Sequence, residues 1–111
     1  MTQETLQQIV SAANDRQPSE CKEIGHVRAE IDNIDQVIIT LLGKRFEYVR
    51  EVVKYKERTA EGVAANGRRE QVLRERRALA IENGLDPDVI EKMYADLVQY
   101  FIDEEMKIMN L

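Results

Sequence analysis

The stretch Val27–Lys56, VRAEIDNIDQVIITLLGKRFEYVREVVKYK, sets Val27, Ile31, Ile34, Ile38 and Leu41 at alternating steps of four and three. That spacing predicts the seam of a long amphipathic helix packed on another helix. One step further, where the pattern wants an aliphatic side chain, stands Arg45. Val49, Val52 and Lys56 then keep to the same stripe, because eleven residues at about 100° each return to within about 20° of the start. Arg45 and Lys56 are therefore expected on one face, roughly 16 Å apart along the axis, close enough for two long side chains to converge on a small ligand. Arg28 lies about 25 Å before Arg45 and is turned by about 100°, so it cannot join them within one chain. An antiparallel partner helix would bring its own Arg28 to this chain's Arg45.

The seam outruns the chain that carries it. A helix from about Gly25 to Arg58 would be about 50 Å long, more than a protein of 111 residues can cover by itself. A homodimer of packed long helices is the expected solution. Downstream, residues 59–65 with Gly62 read as a loop, Asn66 as an N-cap, and Gly67–Asn83 as a helix with Gly84 at its C′ position. In "GLDPD" Gly84 stops one helix, Asp86 caps the next and Pro87 takes its first turn. A last helix, about Pro87 to Met109, is expected to bury Ile90, Met93, Tyr94, Leu97, Val98, Phe101 and Ile102. No strand alternation and no internal repeat is present. The fold class is all-α: a three-helix protomer with a long first helix in an intertwined homodimer. Residues 1–22 read as a flexible or loosely helical leader and residues 23–111 as the helical domain.

Composition narrows the function. A net charge of −5 disfavours nucleic acid as a partner, since a phosphate backbone needs a basic face. No run reaches the roughly 20 apolar residues of a membrane span, and Glu4, Asp15 and Glu20 spoil a targeting signal, so the expected location is cytoplasmic. The single Cys21 and single His26 make neither a disulfide nor a metal cluster; they read as a plain thiol and a surface imidazole. Neither a metal nor a cofactor is expected.

The last helix carries an anomaly of its own. Glu105 follows Val98 by seven and Phe101 by four, so its carboxyl falls on the apolar stripe. Arg69 and Glu70 occupy the first turn of the middle helix, where an arginine gains nothing from the helix dipole. The bland alternative is a solvated face, with Arg45 marking where the seam leaves the core and its stem covering apolar surface. Three cations and one acid aimed at an interior that a dimer would close instead suggest a pocket for a small dianion, since arginines in a dry site suit carboxylates.

The quoted stretch, followed by Asn66–Lys107, NGRREQVLRERRALAIENGLDPDVIEKMYADLVQYFIDEEMK, resembles the all-helical chorismate mutase family. The shared pattern is an early arginine before I-D-x-I-D, an arginine after L-L, a lysine eleven residues later and an R-E pair opening the second helix. The nearest branch is the one containing isochorismate pyruvate lyase and aminodeoxychorismate mutases. The resemblance implies an intertwined homodimer in which Arg28 of the partner subunit and Arg45 hold the carboxylates of chorismate. It implies that Lys56 meets the ether oxygen of the breaking bond and that Glu70, beside Arg69, binds the ring hydroxyl. Glu105 takes the position where bacterial mutases and the lyase usually carry glutamine and fungal mutases glutamate. Two departures stand out: Asn66 replaces an aspartate of simple bacterial mutases, and the lyase lacks the Arg69–Glu70 pair.

A Claisen rearrangement is concerted and needs no nucleophile or proton shuttle. Clamping the substrate and stabilising charge on the ether oxygen suffice, with Glu105 expected to act as a neutral acid. The expected activity is that of an isomerase, chorismate to prephenate on the aromatic branch of the shikimate pathway. Lyase chemistry on isochorismate, giving salicylate and pyruvate, and mutation of 4-amino-4-deoxychorismate are alternatives; a non-catalytic helical dimer is the remote one.

Overall fold

A computed structural model describes all 111 residues. Five α-helices follow one another: α1 (Gln3–Ala12), α2 (Ile24–Val52), α3 (Ala60–Ala64), α4 (Asn66–Glu82) and α5 (Pro87–Met109). The molecule is all-α. It divides into two compact units, Met1–Arg45 and Phe46–Leu111, with the division inside α2. No helix is long and apolar enough to cross a membrane.

In the second unit the α4–α5 connection forms by local rules alone. Gly84 adopts φ +72°, a left-handed conformation that costs a residue without Cβ little. Leu85 N–H then returns to Ala80 C=O at 2.9 Å and Gly84 N–H to Ile81 C=O at 3.2 Å, closing the end of α4 as a Schellman motif. Asp86 caps α5 by accepting from Asp88 N–H at 2.9 Å, and Pro87 supplies its first turn. The expected bounds of α5 agree with those observed. α4 packs along α5 and α3 packs on its later part. Val63, wholly enclosed, joins Ile102 and Met109 in the core, with Val53, Val98 and Met106 against them. Phe46 stacks on Phe101 at 5.4 Å between ring centroids. Met93, expected inside, is 60% exposed, and Ile90, Tyr94, Leu97 and Val98 are only partly covered.

Three expectations need correcting. The long helix does not reach Arg58: α2 ends at Val52, tightens into a 3₁₀ turn over Val53–Tyr55, and Lys56 is extended at φ −96°, ψ 148°. Residue counting at 100° therefore does not apply to Lys56. Nor is Asn66 an N-cap; it is the first residue of α4, and the capping position is Ala65 at φ 44°, ψ 56° with no side-chain hydrogen bond. The segment expected as loop is instead α3, capped by Thr59, whose hydroxyl accepts from Gly62 N–H at 3.0 Å.

In the first unit the seam of α2 is open in the single chain: Val27, Ile31, Ile34, Ile38 and Leu41 are 41–55% exposed. Its buried residue is a charge, Glu30. The Glu30 carboxylate accepts from the Asn14 side-chain amide at 2.9 Å, from the backbone N–H of Asp15 and Arg16 at 3.1 Å each, and from the Asn33 amide at 3.1 Å. Asn14 also donates to the Glu30 carbonyl at 2.9 Å, and the Arg16 guanidinium lies 3.7 Å away. The segment after α1 is thus clasped to α2. His26, read as a surface imidazole, accepts from Lys22 N–H at 3.1 Å.

Those donors, the Asn14 amide first, hold the Glu30 carboxyl below its ordinary range, with desolvation opposing them. A depressed carboxyl contributes stability that is complete above the unfolded value, about 4.3, and is lost as pH falls through the lower folded value. Hydrogen exchange of residues 13–20 should therefore show protection at neutral pH that disappears only in acid below that range. Glu30→Ala should abolish the protection at every pH.

Candidate active site

The linker from Lys56 to Thr59 lies between the end of α2 and α3, and its conformation decides where the lysine goes. Lys56 Nζ donates to the Val63 carbonyl at 2.8 Å and stands 2.9 Å from Glu105 Oε1 on α5. Glu105 is 3% exposed, so the sequence-derived expectation of a carboxyl turned inward on α5 agrees with the structure. Its Oε1 is fully enclosed and accepts no hydrogen bond; what it has is the ammonium charge at contact distance. A carboxylate in an apolar setting is costly unless a cation faces it, and Lys56 is that cation.

The linker is fixed from both sides. A Cβ built on Gly62 would meet the Glu57 carbonyl at 2.8 Å and Glu57 Cβ and Thr59 Oγ1 at 3.0 Å each, so α3 lies against the linker backbone at a distance only glycine permits. On the other side Arg58 Nη2 donates to the Met109 carbonyl at 2.7 Å.

Of the remaining candidates, Arg69 is half-buried in the first turn of α4, with its Nε enclosed and without a hydrogen bond. Glu70 is exposed. On α2, Arg45 is half-buried and Arg28 exposed; seventeen helical positions keep them about 25 Å apart. The structure therefore brings Lys56 and Glu105 together and keeps Arg28 and Arg45 of one chain separate. It also adds partners that sequence reasoning missed, the Val63 carbonyl and the Arg58–Met109 contact. A main-chain acceptor leaves no mark in a residue pattern; the only local hint was Thr59 three residues before Gly62, the signature of the cap that begins α3. No group of three or more His, Cys, Asp or Glu side chains gathers as metal ligands do.

The pattern of chorismate mutase type II matches residues 27–106. The chain belongs to the chorismate mutase type II family. It is 34% identical over 90 residues to the isochorismate pyruvate lyase of Pseudomonas aeruginosa, covering 81% of this chain and 88% of that protein. It is also 36% identical over 69 residues to the T-protein of Enterobacter agglomerans, covering 62% of this chain but 18% of that protein. The match to the type II family includes all six candidate residues, Arg28, Arg45, Lys56, Arg69, Glu70 and Glu105.

Because a methyl group at position 62 collides with main chain rather than with a flexible tip, Gly62→Ala should push the linker away from α3. The expected loss of stability is about 1–3 kcal/mol, typical of overpacking, seen as a lower urea midpoint at unchanged m-value. A Gly62→Ala protein as stable as the parent would mean that the linker yields freely.

Proposed function

We propose that this protein is a cytoplasmic, homodimeric chorismate mutase that rearranges chorismate to prephenate, in a pocket to which the partner subunit contributes its own Arg28. The pairing of half-buried Lys56 with buried Glu105, inside a family named for this reaction, carries the proposal. Arg45 and the partner's Arg28 would clamp the two carboxylates, holding the enolpyruvyl side chain over the ring in a near-attack conformer. Lys56 would meet the negative charge that builds on the ether oxygen as the C–O bond opens. Arg69 and Glu70 would orient the ring hydroxyl. The exposed seam of α2 supports the dimer, because a second copy is the simplest cover for five aliphatic side chains in one row.

Glu105 takes a second role once substrate binds. A dianion that draws Lys56 toward its ether oxygen leaves the carboxyl in an apolar setting, where the neutral acid is the cheaper form. A neutral Glu105 can donate to the ether oxygen; an ionised one repels it. Glu105→Gln, which keeps a donor without a charge, should retain most of kcat/KM, whereas Glu105→Ala should lower it about 10²-fold or more, as loss of a charge-stabilising donor does. Parental kcat/KM in Glu105→Ala would remove Glu105 from this role.

A second activity, elimination of pyruvate from isochorismate to give salicylate, is favoured by the 34% identity to the Pseudomonas aeruginosa lyase. The same cations would serve, because the same kind of ether bond breaks. Purified protein offered chorismate and isochorismate separately decides between them: prephenate as the efficient product supports the mutase, salicylate with pyruvate the lyase. Failure on both would turn attention to 4-amino-4-deoxychorismate. With whichever substrate is used, Lys56→Ala should lower kcat about 10²–10³-fold, as loss of one oxyanion donor does. A variant keeping most of its kcat would place Lys56 away from the reacting bond.

A further inference from the structure

We propose that Arg58 is a positioning residue for the Lys56–Glu105 pair, gripping the last turn of α5 so that ammonium and carboxyl meet the substrate in fixed register; this rests on the role given to Lys56 above. The linker bends at Lys56 and again at Arg58, and both side chains reach α5. Residues four apart on a helix lie one above the other, and Glu105 and Met109 are such a pair, each 3% exposed. The linker and α5 therefore meet in two rungs, Lys56 on the Glu105 side chain at 2.9 Å and Arg58 on the Met109 carbonyl at 2.7 Å.

The second rung is chemically favourable in its own right. The last carbonyls of a helix lack intrahelical partners. Here Leu111 N–H satisfies Met106 C=O at 2.9 Å and Asn110 N–H satisfies Lys107 C=O at 3.2 Å, while Arg58 reaches Met109. A cation at this end is also favoured by the helix dipole. Its importance follows from competition: a dianionic substrate takes over Lys56 and opens the first rung at the moment of reaction. The linker's remaining polar tie to α5 is then Arg58, opposite the close approach of Gly62.

The test is steady-state kinetics of Arg58→Ala, Arg58→Lys, Lys56→Ala and the Lys56→Ala, Arg58→Ala double variant, on whichever of chorismate and isochorismate the parent turns over. Nuclear Overhauser cross-peaks between the Lys56 and Glu105 side chains are recorded alongside. Arg58→Ala should lower kcat about tenfold or more, as misplacement by an ångström can, with little change in KM, and the Lys56–Glu105 cross-peaks should vanish. Arg58→Lys should recover most of the loss, and Arg58→Ala should cost nothing further once Lys56 is alanine. Parental kcat in Arg58→Ala, or an equal loss in both backgrounds, overturns the proposal. If Lys56→Ala keeps its kcat, or the parent turns over neither substrate, the catalytic role of Lys56 fails instead. The cross-peaks then decide the case of Arg58: their disappearance in Arg58→Ala upholds the positioning role, and their survival overturns it.

Discussion

Two opposite charges at 2.9 Å, Lys56 and Glu105, set the requirements that the second unit meets. Taking both groups out of water costs several kcal/mol per ion, and their attraction recovers it only when the remaining polar atoms are also accommodated. The Val63 carbonyl takes one ammonium proton, which requires α3 to turn its interior toward the linker. Gly62 admits the close approach that this requires, and Ala65 in the left-handed region lets α4 leave in a new direction directly afterwards. A pair of hydrophobic residues of similar volume would be no less stable by this accounting. The charges are therefore better explained by what they do than by what they hold together.

The first unit reverses the usual distribution of polarity. Five aliphatic side chains of the α2 seam stand 41–55% exposed while Glu30 is buried and Arg45 is half-covered. Glu30 is enclosed because the chain after α1 folds over it and, together with Asn33, offers four donors, two of them backbone N–H groups that have no helical partner of their own. An arginine in line with aliphatic residues is accordingly not a fault in a core stripe. The aliphatic row is a surface of the single chain, and the proposed second copy is what would make it a core.

Legibility in the sequence follows the range of the interactions involved. The end of α4 and the start of α5 are written in Gly84, Asp86 and Pro87, each acting within a few residues, and both were readable. Glu105 was readable because a carboxyl that breaks an apolar stripe is visible from periodicity alone. The end of α2 was not, since V-V-K-Y-K continues the helical pattern; beyond the helix Lys56 meets Val63 and Glu105, partners seven and forty-nine residues away. The Glu30 clasp was hidden for the same reason, its donors lying fourteen to sixteen residues upstream. Arg58 went unnoticed because its acceptor is a carbonyl, which every residue carries.

Arg69 Nε is enclosed without a hydrogen bond, and leaving such an atom unmet costs about 1–3 kcal/mol. In a fold that elsewhere closes the end of α4 and surrounds its buried Glu30 with donors, that cost falls on a member of the candidate site. Such a cost in the free protein becomes an advantage on binding. A substrate that supplies the missing partner recovers the energy, and the protein groups need not first give up water or rearrange, which is the condition for electrostatic stabilisation to act at the transition state rather than merely on binding. The α3 turn, Gly62 and the α5 C-terminal turn thus serve one end, holding Lys56 and the buried Glu105 carboxyl face to face, the arrangement that the proposed dianionic substrate would have to enter.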